Sequence, residues 1–278
     1  MVVTEGVSTG RIVSELFRPQ NIRFSLIVFI IAALYGQAEL VHIILGSGQL
    51  ILLYGFATIY NDIHDKDIDI ANDRGLPLAR GGLSIRVAQR ILFLLLLVIC
   101  LMQLGLRQPY GYIVTITYLL LGWFYSSPKV KLSHRGLLAT ILLAICYAGL
   151  PMVFGFWQSQ TIPLYFLLLP LILMSMAVVL FKDFKDLKGD ALYSKRTPLV
   201  RYGAQKTKLL AGLFFTIGCI CLMGFIGVGW WLIGCAIAGL ALAQLCIKPR
   251  PTPTLVQTYG LGVIIMFALS VYTEMGIT

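Results

Sequence analysis

Two short aspartate-rich stretches carry the chemistry this chain could do. The first reads Asn61-Asp62-Ile63-His64-Asp65-Lys66-Asp67-Ile68-Asp69. At about 100° per residue, Asp62, Asp65 and Asp69 fall on one narrow helical face, with Asn61 at its edge. Like charges so placed repel one another. A hard divalent cation removes that repulsion, and Mg²⁺ in particular favours a carboxylate or two together with substrate phosphate oxygens. Asp67 points away and reads as a solvated charge. The second stretch reads Lys182-Asp183-Phe184-Lys185-Asp186-Leu187-Lys188-Gly189-Asp190. Asp183, Asp186 and Asp190 repeat the spacing of Asp62, Asp65 and Asp69. Lys185 and Lys188 project to the other side, whereas Lys182 flanks the carboxylate face. Two acidic faces with bound cations attract a polyanion, most naturally a diphosphate.

The elements that must position these groups are membrane helices. The chain has 278 residues, is 58% hydrophobic and only 12% charged, which excludes a soluble domain. About nine apolar runs have a length suited to a bilayer: 22–44, 49–65, 86–106, 110–127, 136–156, 161–182, 207–226, 229–247 and 255–274. The fold class is therefore an all-α polytopic membrane protein, read as one domain over 1–278 with an N-terminal arm over 1–21. Of the 22 Lys and Arg, all but Arg107 fall on one side when the connections alternate. Positive charge marks the cytoplasmic side. The N-terminus and both acidic stretches then face the cytoplasm, and the C-terminus lies outside. The net charge of +10 follows from this topology and from contact with membrane lipids, with no call for a nucleic acid. The two acidic stretches lie four helices apart, which suggests a duplicated four-helix unit plus one. The six cysteines all sit in apolar runs without zinc-ligand spacing.

The apolar surroundings extend the ligand from a diphosphate to an isoprenoid diphosphate. Two other classes also use paired acidic clusters. One is a divalent-cation transporter, which would more naturally hold them at mid-membrane on broken helices. The other is a terpene cyclase, which needs the same diphosphate but no acceptor.

On these residues the chain resembles the UbiA superfamily of intramembrane prenyltransferases. Asn61-Asp62-x-x-Asp65-x-x-x-Asp69 resembles the family's NDxxDxxxD motif, Asp186-x-x-x-Asp190 its DxxxD motif, and Tyr125-Ser126-Ser127-Pro128-Lys129 its YxxxK motif. Arg18-Pro19-Gln20-Asn21 resembles the family's opening before the first helix. The resemblance implies nine helices around a central cavity capped on the cytoplasmic side. It implies Mg²⁺ as cofactor, two ions in all, with Mn²⁺ as a substitute. Asn61, Asp62, Asp65 and Asp69 would serve one ion, and Asp183, Asp186 and Asp190 the other. Asn21, Arg74, Tyr125, Lys129 and Lys182 would contact the substrate. Asp65, Asp69, Asp186, Asp190 and Lys129 would carry the ionisation of the allylic diphosphate. The prenyl group would pass to an aromatic, quinone-precursor-like or other lipophilic acceptor. Leu76-Pro77-Leu78-Ala79 is similar to the homogentisate prenyltransferase branch. Asp73-Arg74-Gly75 and Arg80-Gly81-Gly82 depart from it, in the loop that helps cover the site. His64 and His134 lie close to the motifs and read as interfacial polar residues.

Overall fold

The computed structural model describes residues 9–106, 109–156, 165–223, 228–274 and 276, and every element in them is helical. Helix α1 (Thr9–Phe17) meets α2 (Pro19–Tyr35) at 55°. Arg18 between them is left-handed at φ 44°, because the proline that follows bars the helical conformation there. Then come α3 (Leu40–His64), α4 (Lys66–Ala71), α5 (Ile85–Leu106) and α6 (Pro109–Ser126). The second half holds α7 (Leu137–Ala144), α8 (Leu150–Phe156), α9 (Leu168–Lys182) and α10 (Leu187–Leu192). It ends with α11 (Pro198–Met223), α12 (Val228–Ile247) and α13 (Pro253–Glu274).

Five of these spans are individually long and apolar enough to cross a bilayer, and a sixth is the bent α1–α2 pair. One of the five is the composite of α7 and α8, joined by a π-turn over Ile145–Gly149. That turn sits just ahead of Pro151, which has no N–H to continue the ladder. Large side chains such as Phe93, Leu97, Leu101 and Leu104 on α5, or Leu209, Leu213 and Ile220 on α11, stand exposed on the outer surface. Water would not tolerate such a belt, whereas hydrocarbon does.

Three packed cores hold the bundle, the smallest around Leu16, Ile59 and Leu78, and two larger ones. One centres on Leu50, Leu53, Ile99, Tyr118 and Phe154, the other on Met174, Phe181, Tyr259 and Phe267. Helix α13 contacts both α2 and α9, closing the ring. In the first half, Gln49 of α3 donates to the Thr115 hydroxyl of α6, which in turn donates to Gln103 of α5. Such buried bonds fasten helices that share no hydrophobic drive to associate in lipid.

Three boundaries differ from the hydropathy reading. The first run, expected over 22–44, ends at Tyr35, and the second helix begins at Leu40 rather than at 49. The turn between them has Gln37 at φ 56°, and the Ala38 N–H bonds the Ala33 carbonyl. Gly46, in the gap expected between the first two runs, lies inside α3, where an added Cβ would sit 2.4 Å from the Phe29 ring. It is small so that α2 can approach. The seventh helix starts at Pro198 rather than 207, with a positive-φ kink at Gly203 inside it. Its charged first turns concealed it from hydropathy. The sixth run, expected over 161–182, is described from Tyr165, and residues 157–164 lie outside the described part, as do 224–227 and Arg107.

Candidate functional site: two acidic caps over one cavity

The straight helix expected through Asp62, Asp65 and Asp69 does not form. Helix α3 stops at His64, Asp65 adopts φ −98°, ψ 13°, and the chain restarts as α4. The second stretch breaks in the same place. A 3₁₀ turn over Asp183–Lys185 follows α9, Asp186 adopts φ −102°, ψ 6°, and α10 restarts. The likeness continues past the acids. Asp69 N–H bonds Asp65 O, and Asp190 N–H bonds Asp186 O. Asp73 and Ser194 are both left-handed, at φ 53° and 54°. Arg74 N–H closes on Asp69 O, and Lys195 N–H on Asp190 O. Pro77 and Pro198 then end the two units. The repeat is thus a folded cap, helix–break–short helix–left-handed turn, and not only a spacing of aspartates.

The caps face each other. Helices α4 and α10 pack together, and the Gly189 N–H donates to the Asn72 carboxamide oxygen. A Cβ on Gly189 would lie 2.5 Å from the Ile68 carbonyl, so only glycine admits this approach. The cation that ends each cap bridges to the other. Arg74 pairs with Asp69 of its own cap at 3.0 Å and reaches Asp186 of the opposite cap at 3.6 Å. Lys195 pairs with Asp65 of the opposite cap at 2.8 Å and reaches Asp190 of its own at 3.7 Å. Arg18 bonds Asp62, and both are buried. Asn61 donates to Asp65 at 3.0 Å and to the Ser126 hydroxyl at 3.1 Å.

Burial dominates the electrostatics. It pushes Asp183 up to about 6, with Lys182 and Lys195 opposing, and Asp190 up to about 7, with Lys195 opposing. Asp69 is raised by burial against the pull of Arg74 and Arg18. Burial works against the charge of Lys195, but Asp65, Tyr125 and Asp190 outweigh it and hold the ammonium above its usual range.

The cavity under the caps is lined by Arg18, Asn61, Asp65, Asp69, Asp183, Asp186, Asp190, Arg74, Tyr125, Lys182 and Lys195. An apolar chamber lies beneath it, walled by Tyr54, Ala57, Tyr118, Leu142 and Tyr147 and sharing Arg18, Asn61, Tyr125 and Lys182 with the polar cavity. Asn21 lines that chamber. Asp62 stays behind Arg18, outside the polar lining. Lys129 is exposed on the turn after α6 and lines neither space. His64 is exposed and stacks edge-on against Tyr60, and His134 is half-buried.

Among the described residues no three carboxylate, His or Cys groups already form a metal cage. The donors nevertheless suit a hard cation. All are oxygens, and Asp186 Oδ1, Asp190 Oδ1 and Asp62 Oδ2 are buried without a hydrogen-bond partner. A metal that takes only one or two carboxylates and completes its shell with phosphate and water needs no ready-made cage. Lys195 is a site residue that the motifs did not supply, and Arg18, quoted in the opening stretch, had no role assigned there. Lys195 was legible as the counterpart of Arg74, five residues after the last aspartate of each cap.

Broken helices that gather carboxylates and cations over an apolar chamber mark a helical membrane protein whose charged site opens onto an apolar one. The UbiA prenyltransferase family model matches residues 23–252, and the chain belongs to that family. It is an integral membrane prenyltransferase. A digeranylgeranylglyceryl phosphate synthase from Methanosphaera stadtmanae is 28% identical over 208 residues, 74% of each chain. A homogentisate phytyltransferase from Synechocystis sp. is 29% identical over 196 residues, 67% of this chain and 63% of that one. The solved structure of a UbiA homolog from Archaeoglobus fulgidus bound to DMAPP and Mg²⁺ superposes with a TM-score of 0.70. It is 16% identical and covers 96% of this chain and 99% of that one.

Proposed function

We propose that this protein transfers a prenyl group from an isoprenoid diphosphate to a lipophilic acceptor, at a divalent-metal site formed between the two caps. The observation that carries the reading is the cross-bridged pair of caps opening onto an apolar chamber through shared residues. The names of the relatives, and the DMAPP and Mg²⁺ bound by the fold neighbour, support it.

Asn61, Asp65, Asp69, Asp183, Asp186 and Asp190 would hold Mg²⁺, two ions for two caps with Mn²⁺ as a substitute, and Asp62 joins them if Arg18 yields. When bound, the metal supplies positive charge to the departing diphosphate. Arg18, Arg74 and Lys195 offer further charge and hydrogen bonds in a site shielded from water, where both are worth more than in solution. Tyr125 and Lys182 stand where the polar and apolar spaces meet and orient the ester oxygen. The C–O bond of the allylic diphosphate breaks, and its electron pair leaves with the diphosphate. The acceptor's nucleophilic atom bonds the allylic carbon, and the acceptor loses a proton to water or to the released diphosphate. Tyr54, Tyr118 and Tyr147 line the tail chamber with electron-rich rings that shield the cation. Within this reading the chain is one domain over 1–278 with nine spans around a central cavity, the N-terminus cytoplasmic and the C-terminus outside.

The test is incubation of membranes with labelled prenyl diphosphates of several lengths and a panel of phenolic and glycerol-based acceptors, with products identified by mass. Acceptor-dependent prenylation is expected. A cyclic hydrocarbon or alcohol formed without acceptor would assign the site to a cyclase.

A further inference from the structure

Away from the site, α5 carries two arginines on the surface that faces lipid. Arg86 and Arg90 stand one turn apart at its start, both exposed, with exposed Gln89 beside them. Together with Phe93 and Leu94 they line a groove of about 590 Å³ on the outside of the helix. Steps of three and four residues continue the same face from Arg86 and Arg90 through Phe93, Leu97, Leu101 and Leu104. All four apolar members are exposed, Phe93 by 69%. From Arg86 to Leu104 the face runs about 27 Å, close to the depth of the hydrocarbon core of a bilayer. It is therefore a stripe with a cationic head and an apolar body.

The protein does not answer the charge of this pair. Neither arginine side chain makes a hydrogen bond, ion pair or ring contact among the described residues. Helix α5 contains no Asp or Glu. Glu15 of α1, which shares the small core with α5 through Leu16, Ala88 and Leu92, is taken by Arg11 and Arg80. A guanidinium presents its donors in a fixed fork that matches phosphate oxygens. Beside an apolar stripe at the end of a membrane helix, the anion of that shape is a lipid phosphate. The inner side of the same turns is packed. Ala88, Leu92 and Leu95 share a core with Leu78, from the loop that follows the first cap. The Leu83 N–H bonds the Pro77 carbonyl and closes that loop onto α5. Whatever fixes the outer side of these turns therefore steadies the loop as well.

We propose that Arg86, Gln89 and Arg90 form a binding site for one anionic phospholipid of the surrounding bilayer. The two guanidinium groups grip its phosphodiester from a single helix turn, and the Gln89 amide donates to a further phosphate oxygen. An acyl chain runs down Phe93, Leu97 and Leu101. The site selects a headgroup with net negative charge, because the cation of a zwitterionic head would lie against two arginines. The bound lipid steadies the start of α5 and, through Leu78, the loop after the first cap. The site is separate from the caps and stands whatever reaction they perform.

The test equilibrates purified protein in detergent with equal amounts of phosphatidylglycerol and phosphatidylcholine of the same acyl chains. Retained lipid is counted by native mass spectrometry. At least one phosphatidylglycerol should stay bound, with a preference of about ten- to thirtyfold, the worth of two cations beside an anionic headgroup. Phosphatidylglycerol should also raise the unfolding temperature of the unmodified protein more than phosphatidylcholine does. Arg86→Gln with Arg90→Gln, at exposed positions that leave packing alone, should retain one phosphatidylglycerol fewer and lose that extra rise. Lys248→Gln with Arg250→Gln removes the same charge from the exposed connection between α12 and α13 and should change neither readout. Equal retention of the two lipids by the unmodified protein would overturn the proposal. So would an unchanged phosphatidylglycerol count in the Arg86 and Arg90 variant, or an equal loss in both double variants, which would reduce the attraction to net charge.

Discussion

Replacing Lys195 by Met should weaken the metal-free protein and strengthen its hold on divalent cations. Lys195 is only 13% exposed, 2.8 Å from Asp65 and 3.7 Å from Asp190. Met keeps the stem and removes the charge. Two buried carboxylates then face each other without a cation, and only the Asn61 amide still bonds Asp65. Breaking a buried pair in this way costs about 3–5 kcal/mol. The metal, in turn, no longer competes with an ammonium for Asp65. A unit charge about 4 Å away interacts by roughly 4 kcal/mol at an effective dielectric of 20. Solvent reaching the cavity removes about half of that, which leaves a gain of roughly ten- to thirtyfold in affinity. Mn²⁺ binding is read by electron paramagnetic resonance on the purified protein without prenyl substrate, and stability by thermal unfolding with and without Mg²⁺. The variant should unfold at lower temperature without metal and gain more from Mg²⁺ than the unmodified protein does. Unchanged or weaker Mn²⁺ binding in Lys195→Met would refute the idea that the cap cations occupy the metal's place.

Gly189→Ala should force the caps apart, because the new Cβ would lie 2.5 Å from the Ile68 carbonyl and 2.6 Å from the Asn72 amide nitrogen. A loss of about 1–3 kcal/mol in stability and a weaker metal affinity are expected from unfolding and Mn²⁺ titration, and unaltered values would refute the close approach. Metal binding should tighten from pH 6 to pH 8. Burial raises Asp183 to about 6 and Asp190 to about 7, so at the lower pH most of Asp190 and about half of Asp183 hold protons that a cation must expel. A pH-independent Mn²⁺ affinity over that window would contradict it. In a background lacking the native six cysteines, Cys at Ala71 or Ala191 should react with an impermeant maleimide only from the cytoplasm. Cys at Gln37, in the exposed turn after α2, should react only from outside. Labelling of the two cap positions from opposite sides would end the shared-site reading.

The sequence carried the acids well because the aspartates stand against an apolar background, where any charge is conspicuous. Their spacing also announced that the cap recurs. It did not announce the breaks at Asp65 and Asp186, since no Gly or Pro marks either one and an uninterrupted helix satisfies the same periodicity. Gly46, in the gap expected between the first two runs, is a packing contact inside α3 against Phe29. Lys195 sits among the charges of a loop that reads as positive-inside, and only its offset from Asp190, the same as that of Arg74 from Asp69, marks it out. Its role depends on a cap from the other half of the chain, which spacing along the sequence does not reveal. Lys129 illustrates the converse: the YxxxK pattern is present, yet the proline turn after α6 leaves that lysine exposed while Tyr125 lines the cavity.

The most direct measurement is metal-dependent turnover of a labelled prenyl diphosphate by the purified protein, compared with Asp65→Ala and Asp186→Ala. These two residues hold equivalent breaks in the two caps, and each contacts the cation of the opposite one. Diphosphate release and prenyl transfer should need Mg²⁺ or Mn²⁺, stop with a chelator, and fall by at least about a thousandfold in either variant while the protein stays folded. Full turnover after exhaustive chelation, or comparable turnover in one variant, would contradict a metal site shared between the two caps.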